Sequence, residues 1–248
     1  MASVLNIAVY RFVAIAEPAA VVARVRALCE SLHVKGTVLV APEGINIFLA
    51  GEPGAIHDFL GQLGEDERFA GLLVKFSASD TVPFKRLRVK LKREIITFGK
   101  HGLSPPAAHA QSLAPSQLRD WLRQGSDDHG REIVLLDTRN RQEVAFGSFD
   151  GALTLPIDRF TELPEALQTQ RERLRGKTVV SFCTGGIRCE KAALWMAQDG
   201  YENVLQLEGG ILGYFEQVGA EAYAGHCFVF DERVALDPRL QPMPEVHE

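Results

Sequence analysis

From residue 115 to residue 222 the sequence alternates short apolar runs with stretches of helical period, and no other feature limits the fold as strongly. A helical pattern around Leu118, Trp121 and Leu122 precedes the run IVLLD, and another near Leu163 to Leu174 precedes TVVSF. A third begins after Cys183 and leads to NVLQL, and a last one follows Gly209 and Gly210. Strands that alternate with helices in this way predict a mainly parallel sheet with both faces covered.

The first hundred residues read differently. Leu5 to Ile15 is a strand, and Glu17 to Leu32 is a helix with Val21, Val25, Leu28, Cys29 and Leu32 on one stripe, which assigns Cys29 to a core. GTVLVAPEGINIFLAG holds two β-rich runs around the turn residues Pro42, Glu43 and Gly44. A second helix aligns Ile56, Phe59, Leu60 and Leu63, and LLVKF supplies another strand. Strand, helix, hairpin, helix, strand is the split βαβ order of ferredoxin-like domains. The fold class expected is therefore α+β followed by α/β: an N-terminal ferredoxin-like βαββαβ domain over 1–100, then a parallel α/β domain over 115–222. HGLSPPAAHAQSLAP is rich in Pro, Ala and Ser and has no period, so the linker is placed at 101–114, and 223–248 forms a C-terminal extension.

In FKRLRVKLKREIITFGK, Arg86, Arg88, Lys90 and Lys92 alternate with Leu87, Val89 and Leu91. Read as a strand, this segment puts four cations on one face and the aliphatic residues on the other. Such a face tracks phosphates, although a solvated edge strand protected against aggregation has the same pattern. The formal net charge of −5 argues against a generally cationic surface and leaves room for this local patch. The opening MASVLNIAVYRFVAIAEP is interrupted by Asn6 and Arg11 and is too short to cross a bilayer, so it reads as a buried strand. Four cysteines, Cys29, Cys183, Cys189 and Cys227, have neither metal-ligand spacing nor the density of a disulfide scaffold. No metal site is expected, a reducing cytoplasm is, and His226 with Cys227 is read as a packing or chain-pairing pair.

The stretch SFCTGGIRCEKA holds the chemistry. Cys183 ends an apolar strand, and the carboxyl ends of parallel strands are where α/β sheets bind ligands. Thr184, Gly185, Gly186 and Ile187 carry little bulk, so their backbone N–H groups can turn inward into a concave anion nest at the start of the next helix. Arg188 adds a permanent charge at the rim or behind it. These features favour a thiolate exposed for reaction at neutral pH. Cys189 is a candidate resolving thiol, but it shares a stripe with Ala192, Ala193, Met196 and Ala197 and is read first as a core residue. Asp137, Arg139 and Glu143 are read as an internal ion pair or loop brace rather than as catalytic acids and bases.

Cys183 to Arg188 resembles the six-residue active-site loop of rhodanese domains, whose cysteine carries a persulfide with its outer sulfur in a cup of amides. VLLDTRNRQEVAFGSFDGALTLP and the closing turn LEGGI extend the resemblance through the parallel domain. Related phosphatases need five residues between Cys and Arg to enclose a phosphoryl group, and here four separate them. Over nearly the whole chain, GTVLVAPEGIN, LKREIITFG, LDTRN, CTGGIRCEKA, LEGGI and CFVFDERVAL resemble, in this order, the bacterial tRNA uridine hydroxylase family.

That resemblance implies dioxygen-dependent hydroxylation at C5 of the wobble uridine, giving 5-hydroxyuridine. It makes Cys183 the active-site cysteine, Thr184 to Arg188 its loop, and the tRNA anticodon loop the partner, with neither DNA nor a membrane. It also implies dioxygen as co-substrate with an unnamed reductant, while the sequence shows no iron triad and no dinucleotide fingerprint. Longer relatives carry a cysteine-rich tail that Asp237 to Glu248 lacks. A sulfurtransferase that forms a persulfide on Cys183 is the alternative reading, and a non-catalytic RNA- or protein-binding module is the third.

Overall fold

The computed structural model describes residues 4–100, 103, 106 and 110–243. The chain divides into two compact units, one of Met1–Thr97 with Phe230–Arg233, the other of Phe98–Val229 with Val234–Glu248.

In the first unit β1 (Val4–Phe12), α1 (Pro18–Ser31), β2 (Lys35–Ala41), β3 (Gly44–Gly51), α2 (Pro53–Gly64) and β4 (Lys75–Ser79) follow the expected order, and β5 (Leu87–Leu91) is added. The sheet runs β4-β1-β3-β2-β5. The first four strands pair antiparallel, and β5 joins β2 in parallel at the edge. Both helices begin at a proline, whose missing N–H costs nothing in a first turn. Val21, Val25 and Cys29 of α1 and Ile56, Phe59 and Leu63 of α2 pack on Val38, Val40, Ile45 and Ile47 of the sheet. Burial pushes the Cys29 thiol up to about 12, in keeping with its expected core position.

Residues Val13 and Ile15, expected in β1, instead donate backbone hydrogen bonds to Glu43 and Pro42 in the hairpin turn. The Glu43 carboxylate accepts from the amide of Ile95 (2.7 Å), and Asn46 donates to the carbonyl of Ile95 (3.3 Å). The PEGIN turn thus holds the segment that follows the basic strand.

The second unit contains β6 (Ser112–Leu113), α3 (Pro115–Gln124), β7 (Ile133–Asp137), α4 (Arg141–Val144), β8 (Gly147–Phe149) and β9 (Leu153–Thr154). Then come α5 (Leu163–Gln168), α6 (Arg171–Leu174), β10 (Thr178–Phe182), α7 (Ile187–Gln198), β11 (Val204–Leu207) and α8 (Gly210–Gln217). Three short strands close it: β12 (Tyr223–Gly225), β13 (Cys227–Phe228) and β14 (Ala235–Leu236). Its main sheet has the order β6-β11-β10-β7-β9, and every pairing is parallel. All five residues of the central strand β10 are buried, as a parallel strand covered on both faces must be.

Two boundaries differ from the sequence reading. Ser112 and Leu113, placed in the linker by composition, form a strand on β11, because Leu113 is apolar enough to join the core. The extension from residue 223 is largely part of this unit: Tyr223, Cys227, Val229 and Leu236 belong to its core, and the Tyr223 ring lies edge-on to Phe149 at 5.2 Å. Most of the expected linker (101, 102, 104, 105 and 107–109) lies outside the described residues. Among the described residues no helix is long and apolar enough to cross a membrane.

Candidate active site

The central strand β10 delivers Cys183 to its carboxyl end, and the loop from Cys183 to Gly186 leads directly into α7. Gly186 caps that helix with φ of 104°, a left-handed conformation that residues with a side chain adopt only under strain. In this conformation the Gly186 N–H donates to the Cys183 sulfur at 3.2 Å. A second donor comes from the helix itself, since the Cys189 thiol lies 3.4 Å from the same sulfur.

The loop is held from outside by the next glycine pair. The N–H groups of Ile211 and Leu212, at the start of α8, donate to the carbonyls of Cys183 (2.9 Å) and Thr184 (3.0 Å). With these carbonyls turned outward, the loop amides are free to face the sulfur. A Cβ on Gly210 would lie 2.4 Å from the Cys183 carbonyl and 2.8 Å from the Gly186 nitrogen, so only glycine permits this approach. The sequence marks this turn as LEGGI, but nothing in the one-dimensional pattern says that it clasps residues a whole strand and helix earlier.

Arg188 stands behind the cup. Its two terminal nitrogens each donate to one oxygen of Glu143 at 2.6 Å, a bidentate pair with both side chains buried. Glu143 also closes a capping box with Asn140 at the start of α4. Asp137 and Arg139 make a second, fully buried pair at 2.6 Å, to which Ser148 and the carbonyl of Gly147 contribute. Asp137, Arg139 and Glu143 are braces, as expected. The Arg188–Glu143 partnership itself is invisible in sequence, because 45 residues separate its members.

The sequence predicts a sulfur exposed at the surface, and here the structure differs: Cys183 is fully buried. Of the loop residues Cys183 to Arg188 only Gly185 is partly open, and a Cβ there would meet nothing within 4 Å. Gly185 is therefore the point where this loop meets solvent. Burial pushes the Cys183 thiol up, but the Cys189 S–H, the Arg188 charge and the backbone amides of Cys189 and Arg188 outweigh it and bring it down to about 5. No other cysteine behaves this way. Burial holds Cys189 well above the usual thiol range, with its hydrogen bond to Cys183 acting in the same direction, and burial pushes Cys227 up to about 12.

Cys189 is as buried as its stripe implies, together with Ala192, Ala193 and Met196, whereas Ala197 is exposed. The stripe omitted its partner: the same sulfur that packs in the core touches Cys183. Cys227 pairs in β13 with β14, and the hydroxyl of Thr184 makes long hydrogen bonds to Glu143 (3.5 Å) and to the carbonyl of Phe228 (3.4 Å). The His226 amide donates to the carbonyl of Phe146 (2.8 Å) and Cys227 is buried in the core, so the two are chain-pairing and packing residues. Among the described residues no three His, Cys, Asp or Glu side chains gather as metal ligands would.

In the first unit, Arg86, Arg88, Lys90 and Lys92 are all exposed, Arg88 and Lys90 within β5 and the other two beside it. Val89 is buried on the opposite face. Leu91, expected there too, is 53% exposed, since it ends an edge strand with a neighbour on one side only.

Comparison with known families matches residues 4–95 to the UPF0176 acylphosphatase-like domain and residues 114–217 to the rhodanese-like domain. The tRNA uridine(34) hydroxylase of Xanthomonas euvesicatoria pv. vesicatoria is 60% identical over 240 residues, covering 97% of this chain and 97% of its own. That of Xanthomonas oryzae pv. oryzae is 60% identical over 96% of this chain and 94% of its own length. That of Xylella fastidiosa is 57% identical over 97% and 93%.

Proposed function

The chain belongs to the tRNA uridine(34) hydroxylase family, and from this premise we propose that it hydroxylates uridine 34 of tRNA with Cys183 as the reactive residue. The observation that carries the role of Cys183 is the cup itself: one sulfur, alone among four cysteines, drawn to about 5 by an adjacent thiol, a guanidinium and backbone amides. Such a sulfur is ionised at neutral pH and is a nucleophile without the help of a separate base.

Hydroxylation at C5 with dioxygen takes two reducing equivalents and releases the second oxygen atom as water. The residues of the chain supply the anionic sulfur, the amides that stabilise it and the mouth at Gly185. The substrate base reaches that mouth from a single-stranded anticodon loop, where bases can be splayed from the stack. Arg86, Arg88, Lys90 and Lys92 contribute affinity for phosphates and little sequence preference. A tRNA substrate supports a cytoplasmic location for the reaction.

Nucleoside mass spectrometry of tRNA tests this reading in a deletion strain complemented with wild type or Cys183→Ser. Wild type restores 5-hydroxyuridine and Cys183→Ser does not. Full modification by the serine variant removes Cys183 from the mechanism, and failure of wild type to restore the nucleoside removes the activity.

A sulfurtransferase reading uses the same cup and is favoured by the rhodanese-like domain match. Rapid thiosulfate-to-cyanide turnover by the purified chain, with tRNA hydroxylation unaffected by its deletion, would establish that reading instead. Phosphoryl transfer fits poorly, because both terminal nitrogens of Arg188 are held by Glu143 rather than turned into the cup.

A further inference from the structure

The first turns of α7 place two sulfur atoms together. Cys183 and Cys189 are both fully buried, neither is in a disulfide, and their sulfurs stand 3.4 Å apart. A disulfide needs about 2.05 Å. Closing that gap takes a shift of roughly one bond length, within the reach of a side-chain adjustment at one end of a helix. Cys227 and Cys29 have no such contact with Cys183 among the described hydrogen bonds, so the arrangement singles out one partner.

We propose that Cys189 is the resolving thiol of Cys183. The inference rests on the reading that Cys183 is the reactive sulfur. A hydroperoxide, acting as oxidant, converts the Cys183 thiolate to a sulfenic acid: the peroxide O–O bond breaks, one oxygen joins the sulfur, and the other leaves as hydroxide or alkoxide. The Cys189 sulfur, already in contact, then attacks the Cys183 sulfur. The new S–S bond forms as the S–O bond breaks, the Cys189 proton goes to the departing oxygen, and water is released. Two thiols are oxidised for each peroxide reduced, and a cellular dithiol restores the pair by exchange.

The fold supports both halves of this step. The Cys189 S–H points at the sulfur that would be oxidised, so the proton to be lost lies beside the oxygen that must take it up. The neighbouring thiol, already in contact, intercepts the sulfenic acid before a second peroxide advances it to sulfinic acid, which cannot be recovered by thiols. Within the proposed hydroxylase, the pair protects the active-site sulfur of an enzyme that handles dioxygen.

The experiment uses the reduced full-length protein without tRNA, one equivalent of hydrogen peroxide, and dimedone as a trap for sulfenic acid. Wild type is expected to lose two thiols and about 2 Da, to give a Cys183–Cys189 linked peptide, and to take up no dimedone. Cys189→Ser is expected to keep its mass apart from a dimedone adduct on Cys183, and to go on to sulfinic acid when dimedone is omitted and a second equivalent of peroxide is added. If that variant is poorly folded, Cys189→Ala is read the same way, and the wild-type peptide map stands independently of either. The proposal is overturned by wild-type protein that carries dimedone or sulfinic acid on Cys183 with Cys189 reduced, or that links Cys183 to Cys227. Because tRNA is absent, a disulfide with no hydroxylation in cells would overturn the hydroxylase reading alone, and hydroxylation with no disulfide would overturn this proposal alone.

Discussion

Cys183 is a buried thiol drawn towards its anion, and its neighbours must supply the stabilisation that solvent gives an exposed one. Because its folded-state value is lowered to about 5 from an ordinary 9, the folded chain binds fewer protons there than the unfolded chain throughout that window. Its contribution to stability is therefore fully present above about 9 and is lost as the pH falls through about 5. Between those limits the stability of wild type relative to Cys183→Ser should rise by up to about 1.4 kcal/mol per pH unit. Urea unfolding across the range measures the slope, and thiolate absorbance lost in the serine variant locates the midpoint. The Arg188–Glu143 pair belongs to the same scale. Glu143→Gln leaves a buried guanidinium without its counter-ion, and an effect of about 3–5 kcal/mol on unfolding is expected, with weaker thiolate absorbance at neutral pH as Arg188 is released.

At the scale of elements, the cup is made by two helix starts that meet. α7 contributes the amide of Gly186 and the thiol of Cys189, while α8 turns the loop carbonyls away through Ile211 and Leu212. Gly210→Ala pushes a methyl group to 2.4 Å from the Cys183 carbonyl and should abolish tRNA hydroxylation without unfolding the sheet. Gly185→Ala, with nothing within 4 Å, should keep the thiolate and affect only access of the substrate. Thiolate absorbance separates the two: lost in the first variant, retained in the second. On the edge strand β5, replacing Arg86, Arg88, Lys90 and Lys92 by Ala should weaken tRNA binding. It should also flatten the salt dependence by roughly 0.7–0.9 in log–log slope for each phosphate contact removed.

Over the whole molecule the proposed chemistry and the basic strand lie in different units, Cys183 in the rhodanese-like one and the strand in the acylphosphatase-like one. The two sets of variants should therefore separate. Cys183→Ser is expected to bind tRNA normally in a filter assay and modify none, and the basic-strand variant to form the Cys183–Cys189 disulfide normally while modifying tRNA slowly. Loss of both properties in either variant would show that the units do not act independently. Residues 4 to 97 were legible in sequence because ferredoxin-like packing is governed by local period: Val21, Val25 and Cys29 or Ile56, Phe59 and Leu63 recur at intervals that only one helical face satisfies. Cys183 was legible for a similar reason, since an apolar strand, two glycines and a helix start are all contiguous in SFCTGGIRCEKA. Contacts between distant segments were not. The amino-acid order determined the elements, the candidate sulfur and its loop, because backbone preference and apolar period act over a few residues. Tertiary structure alone decided that Glu143 holds Arg188, that Gly210 clasps the loop and that Cys189 turns its sulfur onto Cys183, because each depends on packing that brings groups into range only after the sheet has formed.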